Sequence, residues 1–312
     1  MRKGRNIRKI TLPTNVKINK SKEKINRPRV NTKSIYNPTQ NINTNNLNEI
    51  NSYFDSERKN YTKLCLTITH IYFSDLIDEM IGYIKNVNGV HDSMNYVTIS
   101  EDTKYSESLI KKLNSSGINN LRILKVKNAG KDICPKMKVL RDIRNNHKEE
   151  SYKYVLFLHD KKHGNSNLGR GWRKQLCSDL SSHKALYYGL YTIGINPNVK
   201  MIGSERWTFY GTLRGHILGV NPKFKESAVS FFKSVFRRLN ISMPNELGFV
   251  GGTMFWCDYN ILNDFFDDFK LNVAINEMDK EIGNIKDPSF THTMERIFGY
   301  IFTRNNLKIG KL

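Results

Sequence analysis

The sequence predicts an α/β fold in which a mostly parallel sheet is flanked by helices and preceded by a disordered basic tail. Three observations lead to this prediction. After residue 60, short runs rich in Val, Ile and Leu alternate with segments of helical periodicity. The run at residues 154–158 is apolar on both faces, which is typical of a strand inside a parallel sheet. Residues 1–60, in contrast, are rich in Lys, Arg and Asn and contain almost no periodic apolar positions.

The domain organisation follows from this change in composition. We expect a disordered Lys/Asn-rich tail at residues 1–60 and one folded domain at residues 61–312, because a segment poor in apolar residues cannot offset its ordering entropy by burial. The chain carries a formal net charge of +21, much of it in the tail. The tail is either an arm that binds nucleic acid or anionic membrane, or a solvated extension. We favour the extension, because Tyr36 alone among nearby residues could stack on a base.

Strands and helices alternate regularly in the first half of the domain. Strands are predicted at residues 64–71, 95–100, 121–126 and 154–158, and helices at 76–84, 109–113 and 137–143. The second half is less regular, with helices predicted at 172–180, 185–193, 228–239 and 291–301 and strands at 199–203 and 248–256. The helix at 228–239 is amphipathic, and we favour a core-facing helix over one that lies on a membrane surface.

The composition argues against several classes of protein. No apolar run approaches the roughly 20 residues of a membrane-spanning helix, and no apolar segment follows the first charged residues as in a secretory signal. The four cysteines lie far apart, which argues against a zinc site and a disulfide framework. We therefore expect a cytoplasmic protein, and we leave peripheral contact with a membrane open.

Polar residues follow three predicted strands at the point where each strand ends. His70 closes the first strand, residues 128–132 follow the third, and residues 159–162 follow the fourth. The carboxyl ends of parallel strands meet at one edge of a sheet, where α/β proteins bind ligands. The sequence therefore predicts a binding site at this edge.

Five short elements, in a fixed order along the chain, carry a resemblance to a known family. They are Asn128-x-Gly130-Lys131-Asp132-Ile133-x-Pro135; His159-Asp160-Lys161-Lys162 followed by Gly171-Trp172-Arg173; Ile202-Gly203; Gly251-Gly252-Thr253-Met254-Phe255-Trp256; and Glu281-x-Gly283 followed by His292-x-x-Glu295-Arg296. They resemble motifs of the rhamnan synthesis protein F family. The resemblance implies a GT-A-like fold and sugar transfer in the assembly of cell-surface polysaccharides.

The resemblance also implies the reaction and the residues that carry it. It implies transfer of a sugar, with rhamnose from a dTDP-activated donor suggested, to a polysaccharide, glycolipid or glycoprotein acceptor. Glu295 is the candidate general base, and His292 lies three residues earlier on the same helix face. The candidate donor-binding residues are His70, Asn128, Gly130, Lys131, Asp132, His159, Asp160, Lys161, Lys162 and Arg173. The candidate acceptor-binding residues are Gly251, Gly252, Phe255 and Trp256, with the two aromatic rings as a sugar-stacking platform.

The sequence departs from the family motifs at two positions, since Lys131 and Asp160 stand where the family usually has Arg and Thr. The Asp-x-Asp of most GT-A enzymes is also absent, because His159 and Lys161 occupy those positions. A requirement for Mg²⁺ or Mn²⁺ is therefore left open, with Asp160 as the one candidate ligand. Lys161 and Lys162, with His159, could instead neutralise the leaving diphosphate without a metal.

Several alternatives stay open. Asp132 can be a helix N-cap, Phe255 and Trp256 can be core residues, and His292 with Glu295 can be a surface pair. Rival acids for the role of base are Asp279, Glu281 and Asp287. At the level of the whole protein, the alternatives are a non-catalytic assembly protein and a basic nucleic-acid-binding protein. The latter would use the tail and a basic face formed by Lys223, Lys225, Lys233, Arg237 and Arg238.

Overall fold

The computed structural model describes residues 47–162, 166–212, 225–283, 285–286, 288–304 and 307–312. Within these ranges the chain forms nine strands and ten α-helices. The strands are β1 Lys63–Ile71, β2 Ser93–Ser100, β3 Leu121–Val126, β4 Tyr152–His159, β5 Val199–Gly203, β6 Thr208–Thr212, β7 Glu246–Val250, β8 Phe255–Asp258 and β9 Lys308–Lys311. The helices are α1 Leu47–Glu57, α2 Ile77–Asn88, α3 Ser106–Asn114, α4 Ile133–Asn146, α5 Ser166–Leu180, α6 Leu190–Ile195, α7 Lys225–Arg238, α8 Tyr259–Phe265, α9 Asp268–Met278 and α10 Phe290–Ile301.

Seven of the strands form one sheet in the order β3-β2-β1-β4-β8-β5-β9, and β6 pairs with β7 in a separate sheet. The block β3-β2-β1-β4 is parallel throughout. β8 runs antiparallel to both of its neighbours, β4 and β5, and β9 is parallel to β5. The structure confirms the predicted α/β class with a mostly parallel sheet flanked by helices.

Each face of the large sheet is covered by five helices. α4, α7, α8, α9 and α10 pack on one face, and α1, α2, α3, α5 and α6 pack on the other. The amphipathic helix α7 buries Phe232, Val235 and Phe236 in the first of these layers. The core-facing alternative is therefore the one observed for this helix. No helix in the described ranges combines the length and the apolar content that a bilayer crossing requires.

Helix α1 lies in the segment that composition assigned to the tail. Its Ile50 and Phe54 are buried in the core, and the hydroxyl of Tyr191 donates a hydrogen bond to Glu49 at 2.5 Å. The folded domain thus includes residues that precede the expected boundary at residue 60. Composition missed this helix because its few apolar residues lie within an Asn-rich stretch. The rest of the predicted tail, residues 1–46, lies outside the described residues.

The strand predicted at residues 248–256 is two strands in different sheets. β7 pairs with β6, whereas β8 lies between β4 and β5. Between β7 and β8, Gly252 and Thr253 have φ angles of 91° and 51°, which a strand cannot accommodate. Residues 251–254 are called the 251–254 turn below. The elements α8, α9, β6 and β9 were not predicted from the sequence.

Candidate functional site

The topology of the sheet brings separate segments together at one edge. β1 and β4 are parallel, with His70 opposite His159, so both strands end at the same edge. β8 is antiparallel to β4, and Phe255 pairs with Phe157. The beginning of β8 therefore lies beside the end of β4, and the 251–254 turn lies next to the end of β4. The start of α4 and the first turns of α10 complete this edge.

Lys136, on α4, lies at the centre of the site. Its side chain is fully buried, and Nζ donates to Oδ2 of Asp132 at 2.7 Å and to the carbonyl of Thr253 at 2.8 Å. The Thr253 hydroxyl also donates to Oδ2 of Asp132. Burial acts to raise the pKa of the Asp132 carboxyl, but His159 and Lys136 together hold it below its ordinary value. Asp132 stands at the N-cap position of α4, but its side chain makes no capping hydrogen bond.

Burial disfavours the charged form of the two histidines at the strand ends. Burial lowers the pKa of His70 to about 4 and lowers that of His159 well below its ordinary value. Nδ1 of His159 lies 3.2 Å from Oδ2 of Asp132, and Nε2 of His159 is buried with no hydrogen-bond partner in the described part of the chain. His159 can therefore exchange a hydrogen bond with a ligand.

The two lysines that follow β4 have different surroundings. Nζ of Lys162 lies 2.6 Å from both carboxylate oxygens of Asp75, and its side chain is 41% exposed. Nζ of Lys161 lies 3.8 Å from the centroid of the Trp172 ring and forms no ion pair with any described residue. Burial lowers the pKa of Lys161, and two nearby carboxylates act to raise it. Among the described residues, Lys161 is thus a cation without a carboxylate partner, whereas Lys162 belongs to a surface ion pair.

Asp160 and Arg173 hold the backbone around Lys161. Oδ2 of Asp160 accepts hydrogen bonds from the backbone N–H groups of residues 72–73, at 2.9 and 2.5 Å. Burial raises the pKa of Asp160 to about 7. Arg173 binds both carboxylate oxygens of Glu79, at 3.0 and 2.8 Å, and donates to the carbonyl of Lys161 at 2.7 Å. Both residues were expected to contact the donor, and the contacts observed for them are within the protein.

In the ranges that the structure describes, no group of three metal-ligating side chains gathers at this edge. One oxygen of Asp160 already accepts two N–H groups, and its raised pKa disfavours the anion that Mg²⁺ or Mn²⁺ binds. Within the described residues, one trio of side chains has ligand atoms that all lie within 4.8 Å of one another: His147, Glu149 and Glu150. This trio precedes β4, at the other end of the strand, and Arg122 already binds both oxygens of Glu150.

Helix α10 places Glu295 beside the 251–254 turn. Oε1 of Glu295 accepts a hydrogen bond from the N–H of Gly252 at 2.7 Å, and Oε2 accepts one from Arg296 at 3.1 Å. One turn earlier on the helix, Nε2 of His292 lies 2.9 Å from Nζ of Lys131. These contacts join α10 to the loop after β3 and to the turn before β8. His292 and Glu295 are therefore more than a surface pair.

The rival acids have other partners. Glu281 accepts hydrogen bonds from the backbone N–H groups of residues 290–291, at 2.6 and 2.9 Å, and thereby caps the start of α10. Asp279 forms an ion pair with a lysine of α4 at 2.7 Å. Asp287 lies outside the described residues. Of the described candidates for the base, Glu295 is the one whose carboxylate contacts the 251–254 turn.

The predicted sugar-stacking platform is wrong. Phe255 and Trp256 are 0% and 1% exposed, and the indole N–H of Trp256 donates to the carbonyl of Leu180 at 2.8 Å. Both rings are therefore core residues. Two other indole rings lie at the site, those of Trp172 and Trp207, which are half-buried with their centroids 4.9 Å apart.

Close packing of the backbone accounts for two of the site glycines. Gly130 has a φ of 60°, and a Cβ at this position would lie 2.5 Å from the Cβ of Cys134 at the start of α4. A Cβ at Gly251 would lie 3.0 Å from a ring carbon of Phe209, and the N–H of Gly251 donates to the carbonyl of Trp207 at 2.8 Å. Asn128 is half-buried just before Gly130. These positions shape the loops and supply no charge.

Two residues that hold the site together, Lys136 and Thr253, were not predicted from the sequence. Lys136 lies four residues after Asp132, on the buried stripe of α4 that includes Ile133, Met137 and Leu140. A lysine at an apolar position of a helix, one turn after an aspartate, is a signal of a buried ion pair. Thr253 carried no comparable signal, because its positive φ angle depends on its tertiary contacts.

The basic face assigned to nucleic-acid binding is partly neutralised. Arg238 forms an ion pair with Glu277 at 2.7 Å. Lys233 and Arg237 line an open groove at the end of α7. Lys223 lies outside the described residues, and the side chain of Lys225 is not described.

Comparison with known proteins identifies the family. The model of the family described as rhamnan synthesis protein F matches residues 29–307. No match was found among curated proteins. Among solved structures, a mannosyltransferase from Pyrobaculum calidifontis in complex with GDP-Man and Mn²⁺ is similar, with 12% identity and a TM-score of 0.35, over 76% of this chain and 62% of that chain. Because the family match spans most of the chain and every site residue described above, the chain belongs to the rhamnan synthesis protein F family.

Proposed function

We propose that this chain is a glycosyltransferase that moves a sugar from a nucleotide-sugar donor to a polysaccharide, glycolipid or glycoprotein acceptor, with rhamnose as the sugar that the family description suggests. One observation carries the proposal: Lys161 and Glu295 lie at the same edge of the sheet. Lys161 lies over the Trp172 ring, this ring packs against Gly252, and the N–H of Gly252 donates to Glu295. Sugar transfer needs a positive charge for the leaving diphosphate and a base for the acceptor hydroxyl. Lys161, which has no carboxylate partner among the described residues, supplies the positive charge. The carboxylate of Glu295 supplies the base.

Lys161 is the proposed contact for the diphosphate. Its ammonium is held over the Trp172 ring by a cation–π interaction, and its backbone is fixed by the bond from Arg173. A bound diphosphate favours the charged form of this partly buried amine, so donor binding opposes the effect of burial on its pKa. Lys131, 2.9 Å from His292, offers a second cation at the same edge.

Glu295 is the proposed general base. The acceptor hydroxyl oxygen bonds to C1 of the donor sugar, the bond between C1 and the phosphate oxygen breaks, and the diphosphate leaves with the electron pair. Glu295 takes the hydroxyl proton. The N–H of Gly252 and the guanidinium of Arg296 orient the carboxylate, and each carboxylate oxygen keeps a lone pair for the acceptor.

Turnover of a panel of nucleotide sugars, including dTDP-rhamnose, by the full-length chain tests the proposal. We expect Lys161→Ala and Glu295→Gln each to lower kcat by about a hundredfold, within the range for a lost electrostatic or general-base contact. The matched controls Lys125→Ala and Glu277→Gln remove a lysine and a glutamate from surface ion pairs, and they should keep wild-type rates. Full turnover by both site variants would contradict the residue assignment. Absence of turnover for every donor would contradict the function.

A further inference from the structure

We propose that Lys136 is a positioning residue that holds the 251–254 turn in its observed conformation and, through this turn, places Glu295. The part of this proposal that concerns catalysis rests on the proposed function. The part that concerns the conformation of the turn does not.

The 251–254 turn needs such support because its backbone is strained. Thr253 has a φ of 51°, a left-handed conformation that β-branched residues rarely adopt, and it follows Gly252 with a φ of 91°. A residue of this kind persists only when its surroundings hold it in place. Thr253 is 2% exposed, so water cannot supply the missing stabilisation.

The ammonium of Lys136 provides the support. Nζ donates to the carbonyl of Thr253 at 2.8 Å and lies 3.1 Å from its hydroxyl oxygen. Asp132 accepts both from this ammonium and from the Thr253 hydroxyl, so the three residues form a closed network. An ammonium has three protons. Those of Lys136 are shared among the Asp132 carboxylate, the carbonyl and hydroxyl oxygens of Thr253, and Nδ1 of His159, which lies 3.3 Å away. Lys136 is fully buried and has no proton left for a phosphate oxygen.

The turn in its observed shape contacts both groups of the proposed reaction. The N–H of Gly252 donates to Glu295 at 2.7 Å. A Cβ on Gly252 would lie 3.0 Å from Cζ2 of Trp172, and the ammonium of Lys161 lies over this Trp172 ring. A change in the shape of the turn would therefore move the base and the ring under the cation together.

Lys136→Met tests the proposal, because it keeps the length of the side chain and removes the ammonium. Lys138→Met is the matched control, since Lys138 is also on α4 and also pairs with an aspartate, but does not contact the turn. Thr253→Val serves as a second variant if Lys136→Met does not fold, because it removes only the hydroxyl. Thr253→Ser restores the hydroxyl and should restore the wild-type properties.

Two readouts separate the turn from the reaction. In protein labelled with 5-fluorotryptophan, the ¹⁹F resonance of Trp172, assigned with Trp172→Phe, should shift in Lys136→Met and Thr253→Val. It should stay in place in Lys138→Met and Thr253→Ser. In the turnover assay, kcat should fall by about a hundredfold in the first two variants, the loss expected from a small misplacement of the base.

The outcomes distinguish the two proposals. An unshifted Trp172 resonance in folded Lys136→Met or Thr253→Val would overturn the role of Lys136 in shaping the turn. A shifted resonance with unchanged kcat would overturn its role in placing Glu295. If the wild-type chain turns over no donor, the proposed function fails, and the fluorine resonances alone decide whether Lys136 holds the turn.

Discussion

Gly299 provides a sharp test of how α10 is seated. This helix carries both His292 and Glu295, and it packs directly on β7. A Cβ at position 299 would lie 1.9 Å from the carbonyl oxygen of Gly248 and 2.6 Å from Cα of Phe249. Both are backbone atoms, which cannot rotate away as the end of a side chain can. Gly299→Ala must therefore move the helix away from the strand.

The expected loss of stability is the difference between two effects. Alanine gains about 1 kcal/mol over glycine in a helix interior. Overpacking against fixed backbone costs up to about 3 kcal/mol. We therefore expect Gly299→Ala to lower the free energy of unfolding by about 2 kcal/mol. With a urea m value of about 3 kcal/mol per molar, the unfolding midpoint falls by about 0.7 M.

Gly82 supplies the control for this prediction. It is an exposed glycine within α2, and a Cβ there meets no atom within 4 Å. Gly82→Ala should therefore raise the free energy of unfolding by about 1 kcal/mol. Urea unfolding followed by circular dichroism measures both variants. If Gly299→Ala is as stable as the wild type, the close packing of α10 on β7 is wrong.

Three further predictions concern charge and burial. Burial raises the pKa of Asp160 from 3.8 to about 7, so between these pH values the folded state binds a proton that the unfolded state has released. The stability that protonated Asp160 contributes is therefore lost as pH rises from about 4 to about 7. The free energy of unfolding of the wild type relative to Asp160→Asn should fall across this window, and an unchanged difference would contradict the pKa. Glu281→Gln should cost about 1–2 kcal/mol in urea unfolding, because it weakens the charged cap of α10, and a cost near zero would argue against that cap. All four cysteines are buried, so a thiol reagent should label them only after the chain unfolds, and rapid labelling of the native protein would contradict this.

The sequence was informative where local patterns decide the structure. Alternating strands and helices predicted the sheet, and the polar residues after the strands predicted which edge carries the site. The convergence of His70, Lys131 and Lys161 at that edge follows from topology, because β1, β3 and β4 run in the same direction and end at the same edge.

Tertiary contacts decided the features that the sequence did not reveal. Phe255 and Trp256 belong to a motif, but their burial depends on β8 lying between two other strands. The antiparallel direction of β8 also has no local signal, although it brings the 251–254 turn to the end of β4. Lysine is a residue type that usually lies at the surface, and only the packing of α4 shows that the ammonium of Lys136 is buried.

The partners within this site are distant along the chain. The contact between Lys131 and His292 joins residues 161 positions apart, and that between Asp132 and Thr253 joins residues 121 positions apart. Contacts of such long range require the closure of large loops and therefore form late in folding. A growing chain that has completed its first four strands still lacks the carboxylate that α10 contributes. The proposed site is thus complete only after α10 has been synthesised and packed, and chains that end before α10 should be inert.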